Sequence, residues 1–176
     1  MAGVEIHDGE CIASSVVHPS EFGAIFELHF DTIHRYVARR LGTALADDIA
    51  AAVFTEAFAG RERFLADRAD ARPWLYGIAT NLIRRHHRHE RAGWRAYAKH
   101  GVDPAGIDAT PRIDEVAVAR ALTKLPRVDR DALLLFVWAD LGYDDIATTL
   151  AVPVGTVRSR ISRARAKLRR ELEELR

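Results

Sequence analysis

The sequence has a single cysteine in 176 residues, Cys11. An intrachain disulfide and a thiolate metal cluster are both excluded, and a reducing compartment is expected. No apolar run approaches the ~20 residues that a membrane span requires. Nor does the start carry a basic flank followed by an apolar stretch, so a cytoplasmic chain without membrane insertion is expected. Runs of alternating β-branched residues are scarce, which argues against sheet. Basic residues are missing from the first 31 positions, where Glu5, Asp8, Glu10, Glu21, Glu27 and Asp31 stand without a Lys or Arg. The formal net charge of +1 therefore hides a segregation. Positive charge collects in two stretches, Arg84 to Lys99 and Arg158 to Arg170. Such clustering points to an anionic partner more clearly than the total does.

What is present suits helices, since Ala and Arg are both good helix formers, and hydrophobic residues make up 48% of the chain, enough for a real core. Residues 1–19 show no sustained period and end at Pro19, so they are expected to form a variable or mobile extension. From there Phe22, Ile25, Phe26, Phe30, Ile33, Tyr36, Val37 and Leu41 recur at helical steps, and Gly42 stops the pattern. Ile49, Val53, Ala57 and Phe58 predict a second helix that starts at Asp47 and Asp48, where acidic side chains complement the helix dipole, and ends near Gly60. Charges then alternate from Arg61 to Arg72 around Phe64 and Leu65. Pro73 opens a third helix. One side of it carries Trp74, Leu75, Ile78, Ala79 and Leu82, with Trp74 read as core. The other side and its continuation carry Asn81, Arg84, Arg85, Arg88 and Arg91.

Residues 92–112 contain Gly93, Gly101, Pro104, Gly106 and Pro111 without an apolar period, the pattern of a linker. The expected fold class is thus all-α: two small helical domains, 20–91 and 113–176, joined by a flexible linker. In the second domain Val116, Ala119, Leu122 and Leu125 predict a helix closed by Pro126. Leu133 to Trp138 predict a buried one broken by Gly142, and Ile146, Ala147 and Leu150 a short third. Ala151 and Val152 form a turn, and Pro153 opens the last helix. The final pair stands in helix-turn-helix order.

On the last helix Val157, Ile161, Ala164 and Leu168 share one stripe, which is expected to face the preceding helix. Arg158, Ser159, Ser162, Arg163 and Ala166 then point outward. A buried stripe that fixes the helix, with Arg and Ser opposite it near the N-terminal half, is what a recognition helix needs to reach base edges and phosphates. Thr156 at the helix start is placed to meet a phosphate beside free backbone N–H groups.

The run Val154-Gly155-Thr156-Val157-Arg158-Ser159-Arg160-Ile161-Ser162-Arg163-Ala164-Arg165, with Leu125-Pro126 and Arg130 before it, resembles the fourth region of extracytoplasmic-function RNA polymerase sigma factors. Ala46-Asp47-Asp48-Ile49 with Val53, Phe54 and Phe58 is similar to the second region of the same family. So is Trp74-Leu75-Tyr76-Gly77-Ile78-Ala79-Thr80-Asn81-Leu82 with Arg84, Arg85 and Arg88. The resemblance implies a factor that binds core RNA polymerase and promoter DNA and performs no chemistry. It implies docking on the clamp helices of the largest subunit through Asp47, Asp48 and Glu56, with Phe54 in the core, and contact of the fourth region with the polymerase flap. It also implies minus-ten recognition near Arg63, Arg72, Asn81, Arg84, Arg85 and Arg88, by a base extruded into the loop from Arg61 to Arg72. Minus-thirty-five recognition would fall to Thr156, Arg158, Ser159, Ser162 and Arg163. An anti-sigma factor is an expected partner. The family commonly has Gln and Glu where this chain has Ala51 and Ala52, and Gly in the turn where it has Ala151. An Ala forced into the left-handed conformation there costs ~1 kcal/mol.

Two rival readings use part of the sequence. A dimeric helix-turn-helix regulator would need only the C-terminal half. A metal-dependent enzyme would use His86, His87 and His89 beside Glu90, but the i, i+4 spacing that brings two imidazoles together is absent. His7, Cys11 and His18 form a second, looser set. No metal and no cofactor are expected.

Overall fold

The computed structural model describes residues 7–64, 69–86 and 113–174. The expected linker, Arg88 and Arg91, together with Leu65, His87, His89 and Glu90, lie outside the described residues. Those that are described form eight α-helices: α1 (Asp8–Ser15), α2 (Phe22–Leu41), α3 (Thr43–Gly60), α4 (Arg72–Arg85), α5 (Ile113–Thr123), α6 (Arg127–Trp138), α7 (Tyr143–Leu150) and α8 (Val154–Glu173).

In α2 the predicted stripe is inside, with Phe22, Ile25, Ile33, Tyr36, Val37 and Leu41 all buried. Phe26 and Phe30 flank it and pack against Phe54 of α3, with ring centroids 5.0 and 5.9 Å away. Gly42 ends α2 with φ 88°, a conformation that favours glycine. Because this one residue reverses the chain, α3 begins at Thr43. Asp47 and Asp48 therefore sit in its second turn, not at its start as the dipole argument predicts. Small Ala46, Ala50 and Ala57 are completely buried and let α3 lie close against its neighbours.

The predicted extension contains α1, and α1 belongs to the core. Ile12 is 1% exposed. The buried Asp8 carboxylate accepts hydrogen bonds from the His29 ring of α2 at 2.8 Å and from the Ala71 N–H ahead of α4 at 2.8 Å. Arg61 adds a bond from its Nε to the Ser15 carbonyl, 3.1 Å, while its guanidinium lies over Phe58. An eight-residue helix is too short to show a clear period, so it was invisible to periodicity.

The α4 helix is buried more widely than one apolar side predicts. Leu75, Tyr76, Ala79 and Ile83 are all 0% exposed, because α4 is covered by α2 and α3 on one flank and by α7 on another. Trp74 is half-buried and meets Phe64, centroids 4.9 Å apart. In the second domain Leu133, Leu134 and Leu135 of α6 are buried together with Ile146 of α7 and Val157, Ile161 and Ala164 of α8. Arg130 is 1% exposed and donates to the Leu122 carbonyl at 3.4 Å, tying α6 to α5.

The two helical groups share one hydrophobic cluster. Asp131 of α6 bonds Arg40 of α2 at 2.7 Å and Arg84 of α4 at 3.1 Å. Thr149 of α7 donates its hydroxyl to the Pro73 carbonyl at 2.9 Å.

Burial alone would raise the Asp8 pKa, but the His29 and Ala71 hydrogen bonds outweigh it and hold the carboxyl below its ordinary value of 3.8. A depressed folded pKa means that the stabilisation is complete above that ordinary value and is lost as the pH falls through the folded one. Asp8→Ala, which leaves a buried N–H without its acceptor, is expected to cost ~1–3 kcal/mol at pH 7 in chemical denaturation. That difference from wild type should shrink in acid, as the part contributed by the lowered pKa is lost.

Candidate nucleic-acid interface

The α7–α8 pair forms a helix-turn-helix whose turn is determined by one residue. Ala151 adopts φ 51° and ψ 50°, the left-handed conformation expected from its place in the turn. Its N–H bonds the Thr148 carbonyl at 3.2 Å, and the Val152 N–H bonds the Ala147 carbonyl at 3.0 Å. This is the pair of bonds that closes a Schellman motif. Pro153, with extended backbone, then caps α8. Val157, Ile161 and Ala164 hold α8 down, Leu168 is half-buried, and Arg158, Ser159, Ser162, Arg163 and Ala166 are exposed on the opposite side.

These outward side chains are not equally free. Arg163 is clasped by the buried Asp129 of α6, Nη2 to Oδ1 at 2.9 Å and Nε to Oδ2 at 3.3 Å. Arg158 lies over the Tyr143 ring at 5.7 Å, and Arg165 over Phe136 at 4.9 Å. The two rings stack on each other, centroids 5.5 Å apart. Arg158, Tyr143, Phe136 and Arg165 thus form a ladder across three helices. The sequence reading missed this positioning role for Phe136 and Tyr143, although two aromatics at the edges of the α6 and α7 apolar runs were a visible signal. Ser159 turns its hydroxyl back to the Thr156 carbonyl at 2.9 Å.

In the first domain, Asn81 and Arg85 are exposed on α4 and Arg63 on the turn before it. Arg72 is held by Asp70 at 2.8 Å and Arg85 by Glu56 at 3.1 Å. Arg84 reaches Asp131 in the other domain. Asp47, whose side chain is 88% exposed, accepts a bond from His34 at 2.8 Å, and Asp48 is exposed one residue on. The structure therefore does not gather the predicted residues into one site. It leaves Asp47, Asp48 and Glu56 along α3, and the basic groups on α4 and α8.

Among the described residues no three His, Cys, Asp or Glu side chains form a group that could hold a metal ion. Cys11 is half-buried, and burial, reinforced by Glu21, Asp8 and Glu10, pushes its thiol up, the opposite of what a reactive thiolate needs. Among the described residues no helix is long and apolar enough to cross a membrane.

The described residues hold no strand, and a basic helix-turn-helix beside a second helical domain is the arrangement of transcription factors that read DNA through a recognition helix. The comparisons with known proteins narrow this. Residues 25–93 match the model of Sigma-70 region 2 and residues 115–168 that of Sigma-70 region 4. The chain is 36% identical over 145 residues to the ECF RNA polymerase sigma factor SigC of Mycobacterium tuberculosis, covering 80% of this chain and 77% of that one. It is 33% identical over 174 residues to the RNA polymerase sigma factor HrpL of Pseudomonas syringae pv. syringae, covering 88% and 90%. Among solved structures it resembles CnrH in complex with the cytosolic domain of CnrY, with a TM-score of 0.73, 25% identity, and coverage of 96% of this chain and 98% of that chain. The chain belongs to the extracytoplasmic-function sigma factors. It serves promoter-specific transcription initiation, in a family of initiation factors rather than catalysts.

The left-handed turn generates a stability test. Ala151→Gly removes the steric cost of a Cβ there, ~1–2 kcal/mol, against an added chain-entropy cost of ~0.4–1 kcal/mol. A net gain of about 0.5–1 kcal/mol is expected in denaturant melts, whereas β-branched Ala151→Val should lose stability.

Proposed function

We propose that the chain docks on core RNA polymerase and reads both promoter elements, the minus-ten with domain 20–91 and the minus-thirty-five with domain 113–176. Asp47, Asp48 and Glu56 meet the clamp helices of the largest polymerase subunit, and the C-terminal domain touches the flap. Arg63, Arg72, Asn81, Arg84, Arg85 and Arg88 flank the extruded minus-ten strand, where basic side chains track the backbone. Thr156, Arg158, Ser159, Ser162 and Arg163 face the minus-thirty-five major groove.

The observation that carries this reading is the two-sidedness of α8, buried along Val157, Ile161 and Ala164 and exposed along Arg158, Ser159 and Ser162. Within that set Arg158 is the better base reader. Its partner is an aromatic face, which leaves its N–H donors for a guanine edge, whereas the Arg163 fork is already filled by Asp129. The N–H groups of Thr156 and Val157 close on the Pro153 carbonyl. A phosphate at the helix start would therefore meet the N–H groups of Val154 and Gly155, with the Thr156 hydroxyl alongside. The factor acts in the cytoplasm, and an anti-sigma partner covers its polymerase-binding surfaces. CnrH, bound by the cytosolic domain of CnrY, is the parallel.

Run-off transcription with sigma-free core polymerase tests the proposal. Promoter-specific transcripts are expected, and their absence with folded protein would favour an operator-binding regulator that needs no polymerase. In the holoenzyme, Arg158→Ala should relax preference at one minus-thirty-five position by ~1–3 kcal/mol. Arg163→Ala should instead lower the melting temperature, because it strips the partner from buried Asp129. A position preference untouched by Arg158→Ala would remove that residue from base reading.

A further inference from the structure

We infer that α1 is a brace for minus-ten selection: Asp8 at its start and Ser15 at its end hold the two stems of the 61–72 loop, which makes Asp8 a positioning residue for bases it never touches. The role in selection rests on the sigma reading above, and the brace itself on contacts within the first domain.

Both stems are tied to α1 through helix-terminal groups that lack a partner in their own helix. At the far stem the Ala71 N–H, just ahead of α4, donates to Asp8 Oδ2 at 2.8 Å, and Ala71 is 0% exposed. The same oxygen lies 2.8 Å from His29 Nε2 of α2, so the carboxylate is itself fixed from a third helix. At the near stem the Ser15 carbonyl, at the end of α1, accepts a bond from Arg61 Nε at 3.1 Å. Arg61 Nη1 also donates to the Phe58 carbonyl at 2.6 Å, and Phe58 meets Phe22 of α2 edge to face, centroids 5.4 Å apart. Buried Ile12 pins the middle of α1 into the core. The helix is thus a strut about 10 Å long at the helical rise per residue, with one end on each stem.

The candidate minus-ten residues on these stems stand close to the braced positions, Arg63 two residues after Arg61 and Arg72 one after Ala71. Asp70 accepts both the Arg72 N–H at 2.8 Å and its Nε at 2.9 Å. A shift at Ala71 therefore carries the Arg72 guanidinium with it. The strut does not act by touching DNA. It holds Asp8 and Glu10 and no Lys or Arg, and acids are repelled by phosphates. Its effect on selection is indirect. A base read outside the stack enters a pocket, and a pocket with loose walls repacks around the wrong base as readily as around the right one. Holding both stems changes the difference between bases, not the attraction to the backbone.

Run-off transcription by the reconstituted holoenzyme from two promoter pools, one randomised in the minus-ten element and one in the minus-thirty-five, tests the brace. Asp8→Ala should flatten the minus-ten base preference severalfold. The minus-thirty-five preference, the salt dependence of promoter binding and the affinity for core polymerase should stay at wild-type values. Asp8→Asn, which keeps an acceptor for the Ala71 N–H, should retain most of the preference. Arg61→Lys keeps the charge but lacks the planar fork that spans the Ser15 and Phe58 carbonyls, and should flatten the same element through the other stem. If Asp8→Ala fails to fold, Arg61→Lys carries the test. A folded Asp8→Ala or Arg61→Lys chain with wild-type minus-ten preference overturns the brace. So does an equal loss at both elements, the mark of general destabilisation. A wild-type holoenzyme without promoter-specific transcripts or minus-ten preference sinks the sigma reading itself, whereas a preference intact in wild type and variants alike sinks the brace alone.

Discussion

Removing a carboxylate from water costs several kcal/mol unless its charge is answered, and at Asp131 the answer comes from the other domain. The rest of the packing is arranged to deliver it. Arg40 stands one residue before the end of α2, and its guanidinium is aimed by a bond from Nη1 to the Tyr36 hydroxyl at 2.9 Å. Tyr36 in turn meets Tyr76 of α4 edge to face, centroids 5.0 Å apart. Burial, with the nearby Tyr36, pushes the Tyr76 phenol up to about 12, so this phenol stays neutral at any physiological pH. Three helices from two domains are thereby fixed around one charge. A buried pair is weak evidence for stability, since apolar replacements often do as well. Removing one partner, by contrast, would leave a buried charge uncompensated, a loss of ~3–5 kcal/mol.

The same bookkeeping orders the basic residues by availability. Arg72 and Arg85 are held by half-exposed carboxylates, pairs of a kind worth ~0–1 kcal/mol that a phosphate can displace. Arg158 and Arg165 rest on aromatic faces and keep their hydrogen-bond donors. Arg163 and Arg84 are held by carboxylates that are themselves buried. Exposure alone therefore misjudges the proposed interface, because the burial of each partner sets how readily a cation can be released to a phosphate.

Much of this was legible in the sequence. The period of α2, the Gly42 stop, Pro73 in the first turn of α4 and the buried stripe of α8 all follow from local rules, because each depends on neighbours three or four residues away. The left-handed Ala151 was legible too, since the turn demands that conformation whatever residue fills it. The docking of α1 was not. It depends on Asp8 meeting Ala71, 63 residues later, and a single buried acid in an eight-residue helix has no period. The wide burial of α4 was hidden for a related reason. Tyr76 lies off the apolar face of its own helix and is covered by Tyr36 of α2, while Gly77 faces Thr149 of α7, in the other domain. The clasp of Asp129 on Arg163 spans 34 residues, so an outward-facing Arg on a helical wheel looked freer than it is.

The proposed polymerase-docking face shows the same division between local pattern and distant partner. Along α3 the exposed or half-exposed positions Asp48, Ala51, Ala52, Thr55 and Glu56 alternate short side chains with acids at either end. Short side chains have little rotamer freedom to lose, whereas each long one immobilised at an interface costs about 0.5–1.5 kcal/mol. Having Ala51 and Ala52 where the family carries Gln and Glu thus forgoes two polar contacts but also their ordering cost. What remains specific must come from the acids. Asp47 is oriented by His34, itself stacked on Phe30 with centroids 5.7 Å apart, and Phe30 packs on the α3 core residue Phe54. That carboxylate is therefore linked through His34 and Phe30 to the core of its own domain, so the proposed docking surface, flattened by alanines, carries an acid steadied from behind by packing.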